Sequence, residues 1–429
     1  MPGAPFLAVG LIFLVPCAIA GLALVGAGLG RSRSAAHAMM SALCVLAVAA
    51  LFYFFCGYAW QSGVGPAHIF HVGGKEWNWL GANRFFLHSS TLEYSGASLA
   101  LLGIFSVAIA ALIPLSAGAD RWRLGASCIS TAVFAGWTFP LFAHWVWGGW
   151  LWQLGSNYSL GSGFLDAGGS GTIQAVGGLT ALSIAWLLGP RHGKYTHDGL
   201  PTAIPGHNGV LVMLGCMLSL VGWIALNGAG AVLYYRSPQI PLVAINTILS
   251  ACAACLAAAA VTRLRFGKPD LSLTANGFVG GLAASSSACA WVIPAEALVI
   301  GAVAGVLVTL SVEWIELYMG VDDPGGSISA HAVGGLWGLL AVGIFASQAH
   351  VGQFDSVPPD HGQWLAQLIG VATLIGFVLP LTYGLNWLID RVYRQRVDAE
   401  GERQGMDLHE LGAGAYPEFI VHSDEFIER

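Results

Sequence analysis

The chain has 429 residues, of which 56% are hydrophobic and only 9% charged, with a net charge of −6. A water-soluble domain carries about a quarter charged residues, so this chain lacks the charge to cover a water-facing surface. That excludes a soluble globular protein, and with 58 Gly and 16 Trp the composition instead fits close helix packing and interfacial anchoring in a bilayer.

Apolar runs of about 20 residues, the length needed to cross a bilayer, follow one another along the chain. They lie at approximately 5–29, 37–60, 92–116, 126–152, 169–189, 208–228, 238–262, 273–291, 295–319, 330–348 and 364–389. The fold class is therefore an all-α polytopic membrane protein with eleven transmembrane helices. No Lys or Arg precedes the first run, so it reads as a retained helix rather than a signal peptide. The eight cysteines all fall in apolar stretches. Cys252 and Cys255 have CxxC spacing but no second ligand pair nearby, and neither a disulfide nor a metal site is expected.

With eleven spans the termini face opposite sides. An outside N-terminus leaves fourteen Lys and Arg on inner segments and only Lys75, Arg84 and Arg236 on outer ones. That asymmetry fixes a cytoplasmic C-terminus. The membrane unit spans 1–390 and a cytoplasmic tail 391–429.

Residues 168–182 read GGSGTIQAVGGLTAL and residues 325–339 read GGSISAHAVGGLWGL, identical at nine of fifteen positions. They start helices five and ten, which run in opposite directions. The arrangement predicts two inverted five-helix repeats, about 5–190 and 207–349, with helix eleven (about 364–389) outside them. Such folds place their pathway between the halves, near the midplane. Gln174 and His331 occupy matching places and would face each other there. A histidine exchanges a proton near neutral pH, whereas a glutamine only donates and accepts hydrogen bonds. Spacing alone leaves open a polar clamp between two helices or a pathway lining.

Asp166 precedes Gln174 by eight residues at the outer mouth. It can cap the helix start and can also stabilise an arriving cation. AHWVWGGWLW (143–152) ends helix four; its tryptophans fit an interfacial belt, and Trp147 could also offer a ring face to a small cation.

The motifs AHWVWGG (143–149), the aspartate-led start of helix five (166–182), GWIALNGAGA (222–231), VDDPGGSISAHAVGG (321–335) and GMDLHELGAGAYPEF (405–419) resemble those of the ammonium transporter, methylammonium permease and Rhesus family, closest to its ammonium-transporter branch. The resemblance covers essentially the whole chain. It implies a homotrimer with one narrow apolar pore per subunit, and ammonium, ammonia or methylammonium as the substrate. It matches Trp147 to the recruiting tryptophan, Phe105 to a gate phenylalanine, Asp166 to the aspartate of the pore mouth and His331 to the second pore histidine. Three positions depart from the family pattern: Gln174 stands for the first pore histidine, Leu226 for the second gate phenylalanine and Gly230 for the recruiting serine.

The tail carries Leu408, Leu411, Tyr416, Phe419 and Ile420 as candidate anchors against inner loops. The resemblance implies that this tail couples subunits and helps bind a PII (GlnK-type) signalling protein. Asp322 and Asp323 are placed to cap neighbouring helices and pair with an inner arginine. No nucleophile–base set, metal cluster or phosphate loop is present, so the chain reads as non-enzymatic, without a cofactor or a nucleic-acid partner. The expected location is a bacterial inner membrane, among its lipids. An ammonium transporter or channel leads; an ammonium sensor on the same fold and a conduit for another small neutral molecule, such as carbon dioxide, remain alternatives.

Overall fold

The computed structural model describes residues 4–62, 69–88, 94–235, 239–346 and 362–416. Arg236, Phe419, Ile420, Arg429 and the predicted helix ends at 92–93 and 347–348 lie outside the described residues. The long helices are α1 (Phe6–Leu29), α2 (Ser32–Gln61), α3 (Tyr94–Ala117), α4 (Leu124–Val146), α5 (Ser170–Leu188), α6 (Gly209–Tyr235), α7 (Ile240–Phe266), α8 (Leu271–Ala288), α9 (Pro294–Tyr318), α10 (Ile328–Phe345) and α11 (Gln363–Val392). Among the described residues, all but α8 are long and apolar enough to cross a membrane. Helix α8 falls short of that standard because it carries Asn276 and the run Ser285–Ser287, yet these groups are buried in the protein.

The packing repeats with an offset of five helices. α3 packs on α5 as α8 packs on α10, and α2 on α4 as α7 on α9; α1 and α6 pack on each other. α11 lies against both α5 and α10. The chain closes its backbone hydrogen bonds within helices, the solution required in lipid.

Two local predictions change. The segment after α2 contains an antiparallel hairpin, Ile69–Val72 with Lys75–Asn78, turned by Gly73 and Gly74 at φ 60° and 76°. Consecutive glycines with positive φ suit the tight turn that matches strand twist. Helix four, predicted to reach 152, ends at Val146, because Gly148 takes φ 135° and the chain turns back.

Candidate functional site

The helices α5 and α10 cross with their backbones in contact, and small residues make this possible. A Cβ on Gly178 would strike the backbone of Ala332, and one on Gly335 would meet the Ser170 carbonyl and, at 3.1 Å, the Ala175 nitrogen. The contacts are reciprocal: Gly178 and Gly335 hold matching places in the duplicated line, as do Ala175 and Ala332. Each helix also opens with a wider π turn, Ser170–Ala175 and Ile328–Val333. A π turn rotates side chains away from their α-helical positions and recurs at functional sites. Here the two turns carry Gln174 and His331 to the crossing.

His331 Nδ1 and Gln174 Oε1 lie 2.8 Å apart, with both side chains buried. With the amide oxygen accepting, the imidazole carries its proton on Nδ1 and keeps a lone pair on Nε2. The Gln174 amide nitrogen is buried with no partner among the described residues. An unmet buried donor is costly, about 1–3 kcal/mol. The Trp223 ring flanks His331 at 6.4 Å. Trp223 lies in GWIALNGAGA, and nothing local in that motif points to a place beside His331.

At one end of the crossing, Asp166 Oδ2 accepts from the Gly171 and Thr172 N–H groups at 3.0 and 2.8 Å and from the Thr172 hydroxyl at 2.9 Å. The carboxylate thus caps α5, an arrangement favoured by the exposed donors and dipole of a helix start. Its other oxygen is buried without a hydrogen-bond partner among the described residues. The Trp147 indole donates to the Asp166 carbonyl at 3.0 Å. Gly230 packs on the Ala167 carbonyl, leaving no space for a serine side chain without movement. Leu226 is fully buried in the core one turn before Gly230, and Phe105 is half-buried midway along α3. His144 Nδ1 lies 2.9 Å from the Gln61 carbonyl and Nε2 3.0 Å from the Asn78 side-chain amide, tying α4 to α2 and the hairpin.

At the opposite end, Asp323 does for α10 what Asp166 does for α5. It accepts from the Ile328 N–H at 2.7 Å and the Ser327 hydroxyl at 3.1 Å. Asp322 accepts from the Arg191 N–H, Nε and Nη2 at 2.8 to 2.9 Å, with Arg121 at 3.8 Å. Arg191 also reaches Asp120 at 3.0 Å, while Arg121 donates to the Gly189 and Asp322 carbonyls. Asp322 thus pairs with inner arginines, the kind of pairing expected from the sequence, and with Asp120 these charges form a buried network joining the ends of α3 and α5 to the start of α10.

The tail docks on this same end, but mainly through acids rather than the predicted leucines. Leu408 is exposed, whereas Met406 and Val397 are buried. Asp407 accepts from the Ala36 and His37 N–H groups at 3.1 and 2.7 Å, capping the first turn of α2. Glu410 Oε2 accepts from the Leu124 N–H at 2.8 Å and contacts His37 Nε2 at 2.9 Å. Burial raises the Glu410 carboxyl, but the His37 and Leu124 hydrogen bonds and the charges of His37 and Arg123 outweigh it, and the net shift is downward. Glu402 accepts from Arg396 at 2.9 Å, and Tyr416 contacts His207 at 3.0 Å. Glu410→Ala is expected to leave two donors unmet, weakening the dock by about 1–3 kcal/mol. Trypsin cleavage after Arg403 at neutral pH should then accelerate; an unchanged cleavage rate would show that Glu410 does not hold the tail.

Residues 6–416 match the model of the Ammonium Transporter Family. The chain belongs to that family of multi-pass membrane transport proteins. It is 36% identical over 425 residues to ammonium transporter Amt2 of Archaeoglobus fulgidus, covering 96% of this chain and 88% of the relative. It is 30% identical to ammonium transporter 1 member 1 of Solanum lycopersicum, covering 90% and 82%. Among solved structures, one named Sensor Amt Protein superposes with a TM-score of 0.85 at 26% identity, covering 95% of this chain and 98% of that one. Mep2 of Candida albicans, with a TM-score of 0.80, 24% identity and coverage of 98% and 91%, shares the fold.

Proposed function

We propose that the protein transports ammonium nitrogen as neutral ammonia through the α5–α10 crossing, leaving the proton on the side of entry. The observation that carries this reading is the buried Gln174 amide nitrogen, without a hydrogen-bond partner among the described residues, beside the His331 imidazole. Ammonia can accept from the Gln174 N–H and donate to His331 Nε2, so it satisfies both groups at once. The glutamine cannot relay a proton by titrating, which favours a neutral passenger. Asp166 and the Trp147 ring serve the entry mouth, with Phe105 and Leu226 as apolar flanks and Gly230 as a site without a hydroxyl.

The reciprocal Gly178–Ala332 and Gly335–Ala175 contacts support two inverted halves, with α8 as a further span and α11 outside them. The N-terminus is read as outside, and the tail as cytoplasmic. Asp322, Asp323 and Tyr416 then belong to the inner, regulatory face, where a PII-type protein would bind a homotrimer in a bacterial inner membrane. The protein acts as a carrier of substrate rather than an enzyme.

The test is electrical and chemical together. In proteoliposomes after an ammonium jump, the wild type should give no sustained current, while a lumenal dye reports alkalinisation as ammonia enters and takes up protons. Gln174→His should gain a current. A sustained wild-type current lost in His331→Ala would sink neutral passage. Ammonium binding with neither current nor ammonia flux would favour the sensor reading, for which the broken imidazole pair is the specific motive.

A further inference from the structure

Leu226, Gly230 and Tyr234 follow at intervals of four along α6, so they share one helix face. Tyr234 lies in the last turn of that helix, and its ring is stacked on Trp147. The ring centroids are 4.0 Å apart and the planes 7° from parallel. Trp147 is held in this orientation by its hydrogen bond to the Asp166 carbonyl. One turn away, Gly230 presents no side chain that would wedge the rings apart.

An ion between two aromatic faces needs a van der Waals contact on each side, which requires a ring separation of about 7 Å. At 4.0 Å the α6-facing side of Trp147 is filled by tyrosine. The closed position has an internal weakness, because the Tyr234 hydroxyl is buried without a hydrogen bond of standard geometry among the described residues. The Gln61 side chain lies close enough to interact with that hydroxyl, but it makes its own hydrogen bond of 2.7 Å to Tyr53.

We propose that Tyr234 is the lid and specificity-determining residue of the cation-recruiting face of Trp147. In the structure the lid is closed. A small cation must displace the tyrosine ring before it can take the indole face, and a bulkier alkylammonium must displace it further. Tyr234 thereby replaces, by occlusion, the selectivity that a hydroxyl at position 230 would give by hydrogen bonding. The inference rests on Trp147 being the recruiting ring, but not on what crosses the pore.

The test is binding, read separately from flux. Ammonium and methylammonium are titrated calorimetrically into the purified full chain, beside Tyr234→Leu, Tyr234→Phe and Trp147→Leu. Tyr234→Leu should bind methylammonium roughly tenfold more tightly, with a smaller gain for ammonium. Tyr234→Phe, which keeps the ring, should retain wild-type discrimination, and the tightening should vanish in Tyr234→Leu combined with Trp147→Leu. Unchanged or weaker binding in Tyr234→Leu would overturn the lid, as would a Tyr234→Phe variant that behaves like Tyr234→Leu. Should Tyr234→Leu not fold, a structure of the wild type in saturating methylammonium decides. Rings parted to about 7 Å around the ion support the lid, and rings still stacked with the ion bound elsewhere overturn it. Tighter binding in Tyr234→Leu without any flux would count against the transport reading alone.

Discussion

Asp322→Ala is expected to destabilise the protein by about 3–5 kcal/mol, the usual consequence of removing one partner from a buried ion pair. The side chain is about 1% exposed and accepts three hydrogen bonds from Arg191, with Arg121 close behind. Alanine would leave two buried guanidinium groups facing only Asp120, whose carboxylate already serves Arg191 and Arg31. Burial alone would raise the Asp322 carboxyl, but the Arg191 hydrogen bonds and the charges of both arginines hold it at about 2. A carboxylate held below its unfolded value of about 3.9 stabilises the fold above that value and loses the contribution as pH falls through about 2. The wild-type contribution should therefore be flat from about pH 8 to pH 5 and decline below about pH 4. Reversible unfolding in mixed detergent measures both effects. A loss under about 1 kcal/mol at neutral pH, the range of an exposed pair, would show that the network is not stabilising.

Much of the fold is legible because lipid leaves the chain few options. Apolar length marks ten helices that are also long and apolar enough to cross a membrane in the structure, and the Lys and Arg asymmetry is the basis for the proposed alternation. The duplicated line predicts that Gln174 and His331 meet, and they lie within hydrogen-bond distance. What is hard to read depends on pairing across long separations. Nothing local in GAVLYY says that Tyr234 lies on Trp147, 87 positions earlier. An inner arginine for Asp322 was foreseeable, but that it would be both Arg121 and Arg191, with Asp120 joining them, depends on contacts across long separations. Asp407 and Glu410 look like solvated tail charges until the donors of α2 and α4 are placed opposite them. WGGWLW is apolar enough to continue a helix, yet Gly148 turns the chain. The hairpin was legible in HVGGKE, where two glycines separate short runs rich in β-branched and aromatic residues, but the helical composition of the whole chain masked it.

Gly178→Val and Gly335→Val should each abolish transport, even though neither side chain would touch the substrate. The Cβ at either position meets backbone rather than a flexible side-chain tip, so a rotamer change cannot relieve the clash. The helices must separate, at an overpacking cost of about 1–3 kcal/mol that the large surrounding bundle can absorb. Their geometry tolerates less. A hydrogen bond of 2.8 Å between Gln174 and His331 is lost once the α5–α10 distance grows by about 1 Å. The two groups would then no longer present a donor and an acceptor to one small guest, and the widened crossing would admit water instead. The variants should assemble and melt within a few degrees of the wild type while ammonia-driven alkalinisation falls to the level of empty liposomes. Because the contacts are reciprocal, either substitution should have the same effect, and the pair together should be little worse than one. Wild-type flux in either variant would mean that the crossing is not the pathway, and that the Gln174–His331 contact is a clamp between helices.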